Sequence, residues 1–256
     1  MKPKILLIND DGIEAVGLRS LYEALLPFAE LSIVAPSEEQ SGVGLSVTLR
    51  SPLRIDAVKW EKKTPAWKVN GTPADCVRLA LNLIFSEPPD LIVSGINKGS
   101  NAGRNVLYSG TVGGVIEGVH RGVPGLAVSC EEYFHPDYEA TKPYIRSIVK
   151  CLLKTPLAKG SLLNVNFPAA GPIQGLKLTR QGKGYVREKL DRRLHPEGNP
   201  YYWMGFSLSE HPEENESDIS WLKKGFATAV PIHVDEMTDH SFLKAHKSFF
   251  EALSLE

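Results

Sequence analysis

Lys4-Ile-Leu-Leu-Ile-Asn-Asp-Asp-Gly12 is the stretch whose reading decides the fold. The short apolar run from Ile5 to Ile8 reads as a buried strand, and it stops abruptly in Asn9, Asp10, Asp11 and Gly12. In an open α/β sheet, ligands sit in the crevice beyond the carboxyl ends of the strands. Two adjacent carboxylates placed there repel each other unless a positive charge lies beside them. A hard divalent cation such as Mg²⁺, Mn²⁺ or Ca²⁺ is the simplest such partner, because its preferred donors are oxygens. Gly12 relieves the sharp exit from the strand. The competing reading is a strand-end turn in which one Asp caps the next helix. The neighbouring segments have to choose.

Outward from that strand, Leu18, Leu21, Tyr22 and Leu25 fall at helical spacing, and Pro27 closes the pattern. Leu31 to Ala35 is a second strand, stopped by Pro36 and followed by the polar loop Ser37 to Ser46. In a parallel sheet this loop opens on the same edge as Asp10 and Asp11. Ser41, next to Gly42, is then either a further oxygen ligand, a phosphate contact or part of a plain solvated loop. Val47 to Leu53 and Trp67 to Val69 read as extended segments. Gly71-Thr-Pro-Ala-Asp75 is a helix start in which Thr72 caps, Pro73 takes the first position and Asp75 returns a bond to the cap. That gives Asp75 a structural task. Cys76, Leu79, Ala80, Leu83 and Ile84 mark the apolar face of the helix.

Leu91 to Ser94 is another buried strand, and the long Gly- and Asn-rich loop from Gly95 to Thr111 follows it. Loops of such length in compact domains are usually functional or disordered. Asn97 sits close to the strand end, within reach of a metal bound there. Ser109-Gly110-Thr111 leads into Val112, Val115, Ile116 and Val119, a helix whose amino end offers N–H groups and hydroxyls to an anion. Gly113 and Gly114 in its first turn require a close neighbour, which is either a ligand or the sheet. Gly125 to Ser129 is a strand, Tyr144 to Leu153 a helix and Leu162 to Phe167 a strand. This alternation predicts a doubly wound, mostly parallel α/β sheet.

Past Gly171 the pattern changes. Gly175 to Arg180, Tyr201 to Phe206 and Phe226 to Val234 read as strands, and Phe242 to Leu253 as a terminal helix. The expectation is one domain over 1–256, with a core of about 1–170 and a C-terminal β-hairpin and helix extension over about 171–256 that reaches a neighbouring subunit. Between those strands, Arg180, Lys183, Arg187, Lys189, Arg192 and Arg193 form a basic stretch that either meets an acidic substrate or is a solvated face.

The chain has 256 residues and a net charge of −1, so no global field draws in nucleic acid. Its three cysteines, Cys76, Cys130 and Cys151, lack close metal-ligand spacing and read as thiols of a reducing compartment. No stretch is apolar for the ~18–20 residues that span a bilayer, and the amino terminus is too short in apolar residues for a signal peptide. The expected location is therefore cytoplasmic, without membrane contact. A P-loop is excluded because Gly182-Lys183 is followed by Gly184, and neither a G-x-S-x-G elbow nor an H-E-x-x-H pair is present.

Together, the strand-end loops hold two carboxylates, a serine, an asparagine amide and a phosphate-ready helix start. All are oxygen donors suited to one divalent metal beside a phosphoryl group, which is the chemistry of phosphate-ester hydrolysis. Asn9-Asp-Asp-Gly12, Ser41-Gly42, Gly71-Thr-Pro-Ala-Asp-Cys76, Ser94-Gly-Ile-Asn97 with Gly99 and Asn101, and Tyr108-Ser-Gly-Thr-Val112 resemble the SurE survival-protein family of 5′-nucleotidases. Tyr202-Trp-Met-Gly205 and Pro231-Ile-His-Val-Asp235 extend the likeness over nearly the whole chain. The resemblance implies a Rossmann-like core and a metal-dependent phosphohydrolase of nucleoside 5′-monophosphates, cytoplasmic and dimeric or tetrameric through an exchanged C-terminal arm. It implies Asp10, Asp11, Ser41 and Asn97 as ligands of one Mg²⁺ or Mn²⁺ per subunit, with Asp10 and Asp11 catalytic. It implies Ser109, Gly110 and Thr111, with Asn97, on the phosphate. A non-catalytic nucleotide sensor and a phosphatase of short polyphosphate or other phosphomonoesters are the rival expectations.

Overall fold

A computed structural model of the chain describes residues 2–208, 213, 215–251 and 253. Its central sheet begins with β1 (Lys4–Ile8), β2 (Glu30–Pro36), β3 (Ile55–Ala57), β4 (Ala66–Val69) and β5 (Leu91–Lys98). β6 (Gly125–Cys130), β7 (Ser161–Phe167), β8 (Leu176–Leu178) and β11 (Ala227–His233) complete it, in the order β3-β4-β2-β1-β5-β6-β7-β11-β8. The strands from β4 to β7 run parallel, while β3 pairs antiparallel with β4 and β11 antiparallel with β7. β9 (Val186–Leu194) and β10 (Pro200–Leu208) form a separate antiparallel hairpin.

The apolar run of β1 is continuous because both of its faces are covered. Ile5 and Leu7 pack into the cluster that includes Leu18, Tyr22 and Leu25 of α1 (Val16–Leu25) and Ile145 and Val149 of α4 (Tyr138–Lys154). Leu6 and Ile8 pack on the other face with Cys76, Val77 and Ala80, which belong to α2 (Pro73–Leu79) and the π turn that prolongs it. α3 (Gly110–His120) lies beside α2 and sends Val112, Val115 and Val119 toward β6 and β7. This is the expected doubly wound α/β architecture.

Local chemistry sets several boundaries. Thr72 Oγ1 accepts from Asp75 N at 3.2 Å while Asp75 Oδ2 accepts from Thr72 N at 3.0 Å, the reciprocal cap that the sequence predicts. The same Asp75 carboxylate also accepts from Thr48 N at 3.1 Å. Val47 to Leu53, read as extended, forms no strand of the sheet, and its Thr48 is held by that side chain. α4 begins at Tyr138, ahead of its apolar stripe, because Asp137 caps it by accepting from Ala140 N at 3.2 Å.

The division expected near residue 170 does not fall at a break in the sheet. β11 and β8 continue the sheet from β7, and the short α5 (Asp218–Leu222) packs on β11. Only the β9–β10 hairpin and α6 (His240–Glu251) stand apart from it. The basic segment after Lys183 is itself a strand, β9. Its described side chains, from Lys189 to Leu194, are all exposed, so they carry no buried period that a sequence reading can detect.

Candidate active site at the carboxyl edge of the sheet

The chain winds from β1 through α1 to β2 on one side and later returns to place β5 on the other side of β1. That reversal opens a crevice above the carboxyl ends of β1 and β5, where α/β sheets bind ligands. Asn9 Nδ2 donates to Gly12 O at 2.8 Å and closes the turn, and Gly12 takes a φ of 98° that favours glycine.

Asp10 is buried and fixed from several directions. Thr111 Oγ1 donates to its Oδ1 at 2.5 Å, and its backbone carbonyl accepts from Gln40 N at 2.7 Å. A Cβ on Gly110 would stand 2.9 Å from Asp10 Cβ, so the first turn of α3 reaches the carboxylate only because residue 110 is glycine. Burial pushes the Asp10 carboxyl above its ordinary range, and the Thr111 hydroxyl and N–H work against that. Asp11 accepts from Lys98 N at 3.3 Å, and the Lys98 ammonium lies 3.8 Å from Asp11 Oδ1 and 2.9 Å from Glu39 Oε2. Burial, followed by the charge of Asp10, pushes the Asp11 carboxyl up to about 7.

The remaining predicted residues divide. Asn97 is buried at the end of β5 and spends its amide N–H on Gly99 O at 2.9 Å, which leaves Oδ1 as its lone-pair donor. Ser41 is exposed, and its hydroxyl donates to Glu39 Oε1 at 2.6 Å; no described hydrogen bond joins it to Asp10, Asp11 or Asn97. Ser109 caps α3 by accepting from Val112 N at 3.1 Å. The hydroxyl proton of Thr111, read as phosphate-facing, goes to Asp10. The close neighbours that Gly113 and Gly114 require are protein atoms. A Cβ at 113 would lie 2.3 Å from Gly44 O, and one at 114 would lie 2.6 Å from Ile8 Cδ1.

Sequence reasoning missed Glu39, Gln40 and Lys98, and it missed a polar layer behind the site. Asn97, Ser129, Asn166 and Thr228 stand in one register row across β5, β6, β7 and β11. Asn101 bridges from this row to the site. Its N–H donates to Asn166 Oδ1 at 2.8 Å, and its amide donates to Ser129 Oγ at 2.8 Å and Thr111 Oγ1 at 3.4 Å. Asn164-Val-Asn166, polar at alternate positions of a buried strand, was the available signal.

A divalent cation fits this donor set. Asp11 Oδ1 is buried without a hydrogen-bond partner, beside a second buried carboxylate. Among the described residues no group of three or more His, Cys, Asp or Glu gathers as a ligand cluster, so amide and hydroxyl oxygens have to complete the shell. A cavity of about 350 Å³ adjoins Asp11 and Lys98 and continues to Tyr133, Phe134 and Tyr138. A larger groove, about 920 Å³ along the β8–β11 edge, contains no acidic pair and is not lined by Asp10 or Asp11.

Residues 5–188 match the family model described as survival protein SurE. The chain is 51% identical over 254 residues to the 5′-nucleotidase SurE of Protochlamydia amoebophila (strain UWE25), covering 98% of this chain and 97% of that protein. It is 41% identical to the 5′-nucleotidase SurE of Moorella thermoacetica (strain ATCC 39073 / JCM 9320), covering 96% of each. The crystal structure of the SurE protein from Aquifex aeolicus superposes with a TM-score of 0.83 at 35% identity, over 97% of this chain and 100% of that one. With more than two thirds of its length inside the family model and near-complete coverage of relatives this similar, the chain belongs to the survival protein SurE family.

Proposed function

We propose that the chain is a divalent-metal-dependent 5′-nucleotidase that hydrolyses nucleoside 5′-monophosphates to nucleoside and phosphate. The observation that carries this reading is the Asp10–Asp11 pair at the switch point of the sheet, both side chains buried, with Asp11 Oδ1 free of hydrogen bonds and facing the Lys98 ammonium at 3.8 Å. Relatives that match over nearly the full chain carry the same activity in their names. Asp10, Asp11, Asn97 and, after release from Glu39, Ser41 would hold one Mg²⁺ or Mn²⁺. When bound, such a cation lowers the pKa of a water and neutralises charge on the phosphoryl group.

The chain's own residues do the rest. Thr111 and Gly110 fix Asp10 in one orientation, which suits it to align the reacting centre. Asp11 keeps an oxygen free to accept the proton of the attacking water. The second N–H of the Asn97 amide, the Ser109 hydroxyl and the amino end of α3 receive the phosphoryl oxygens, with Thr111 acting through Asp10. The Lys98 ammonium supplies a second positive charge at the same lip. We further propose that the exposed β9–β10 hairpin and α6 join subunits into a dimer or tetramer, and that the protein works in the cytoplasm, where its three unpaired cysteines stay reduced.

Purified protein stripped by chelator should release phosphate from nucleoside monophosphates only after Mg²⁺ or Mn²⁺ is returned. Undiminished turnover in chelator sinks the metal reading. Tight nucleotide binding without turnover under any metal points to a sensor, and preference for short polyphosphate or sugar phosphates in the same panel points to the third reading.

A further inference from the structure

The cavity beside Asp11 has two unlike walls. One is the start of α1, where Ala15 stands at the N-cap and offers no side-chain oxygen to the first N–H groups. α2, α3, α4 and α5 each have a capping side chain, so the open end of α1 is a difference in kind. Gly17 lets that end close on β5, since a Cβ there would meet Ile96 O at 2.0 Å. The other wall is aromatic. Tyr133 and Phe134 meet edge to face, with ring centroids 5.3 Å apart, at the tip of a loop following β6.

These rings are exposed, yet the loop that carries them is pinned. Glu132 Oε1 accepts from Phe134 N at 2.8 Å and from His135 N at 3.1 Å. Glu131 Oε2 accepts from Ala169 N at 3.3 Å at the base of the loop. Tyr133 also lies over Gly99, and the Lys98 ammonium that pairs with Glu39 and Asp11 sits 5.4 Å from its ring. One cation thus connects the acidic pair to the aromatic wall. A fixed pair of rings held open to solvent, 50% and 79% exposed, at the mouth of a polar site is a stacking platform without its stack.

We propose that Tyr133 and Phe134 seat the nucleobase of the substrate, with the N–H groups at the open end of α1 facing its lone pairs. The inference rests on the nucleotidase reading, since it is the phosphate at Asp10 and Asp11 that puts the base in this cavity. The cavity, about 350 Å³, lies at the small end of ligand-pocket sizes and suits one planar heterocycle. Every base has a π face, so the platform predicts tolerance among bases more than selection of one.

The test uses Phe134→Ala and Tyr133→Ala in the full chain, both at exposed positions where folding is not at risk. KM for nucleoside monophosphates should rise about tenfold in each, in line with loss of one base–aromatic stack. Inhibition by the free nucleoside should weaken by the same factor while inhibition by inorganic phosphate keeps its wild-type value. Phe134→Trp should restore KM. Equal weakening toward nucleoside and phosphate, or unchanged nucleoside inhibition, overturns the assignment. So does a change in native mass with KM unaltered, which would make the rings a subunit contact. Should the wild-type protein hydrolyse no nucleoside monophosphate, the nucleotidase reading fails, and calorimetry with adenosine still reads the platform: binding lost in Phe134→Ala supports it, and binding equal to wild type defeats it.

Discussion

The carboxyl edge of the sheet buries polar groups, whereas the β9–β10 hairpin and α6 expose apolar ones. At the edge, Asp10, Thr111, Asn101, Ser129 and Asn166 are all buried and mostly satisfy one another. In the arm, Tyr201, Tyr202, Trp203 and Met204 of β10 face solvent, and α6 has no buried residue. Burying polar groups is costly unless they are partnered, and a contiguous exposed apolar surface in a soluble protein marks a missing partner. Each region therefore lacks something. The edge sets one ammonium, Lys98, against the carboxylates of Asp10, Asp11 and Glu39, and the arm lacks a surface to cover it.

The largest effect separating the two belongs to the acids. Asp10→Asn should lower phosphate release by at least about 10³-fold while circular dichroism and native mass stay unchanged, because it removes the group that α3 is folded around. The mirror experiment is Trp203→Glu, which puts a charge into the exposed apolar strip of β10. On the proposed subunit contact it should lower the native mass read by light scattering, and an unchanged mass would show that the arm's apolar face is not a contact.

Stability against pH sharpens the contrast further. The Asp11 carboxyl titrates at about 7 in the folded chain against an ordinary value of 3.8, so the folded state binds its proton more tightly than the unfolded state. The stability it lends is present below the ordinary value and is lost as pH rises through about 7. In chelator, Asp11→Asn should therefore raise Tm by about 5 °C at pH 8 and change it little at pH 4, read by scanning calorimetry. The smallest expected effect is at Thr111→Val, which keeps the shape of a fully buried side chain and deletes its bond to Asp10. Mn²⁺ affinity, measured by titration, should fall about tenfold, as for other groups that orient a metal ligand.

Much of this was legible in the chain itself, and the reason is local. The Thr72–Asp75 cap and the strand ending at Asp10 and Asp11 act within a few residues of the signal, whereas Gly113 and Gly114 announce a close approach whose partners, Gly44 and Ile8, are distant in sequence. The polar layer was not legible, because Asn97, Ser129, Asn166 and Thr228 meet only through strand order, which no stretch of sequence states. The partner of the Thr111 hydroxyl is a tertiary matter too: a helix start points to an anion, and the hydroxyl donates to Asp10 of the protein itself. β9 escaped for a third reason. Alternation is readable only where one face is buried, and the arm has none to show.

Lys98 also has a consequence for the order of events at the lip. Asp10, Asp11 and Glu39 set three acidic groups against its single ammonium, so an arriving phosphate monoester meets like charge first. A cation that binds first would be trapped by the ester that follows, so lowering free metal should shift saturation curves to higher substrate without lowering their plateau.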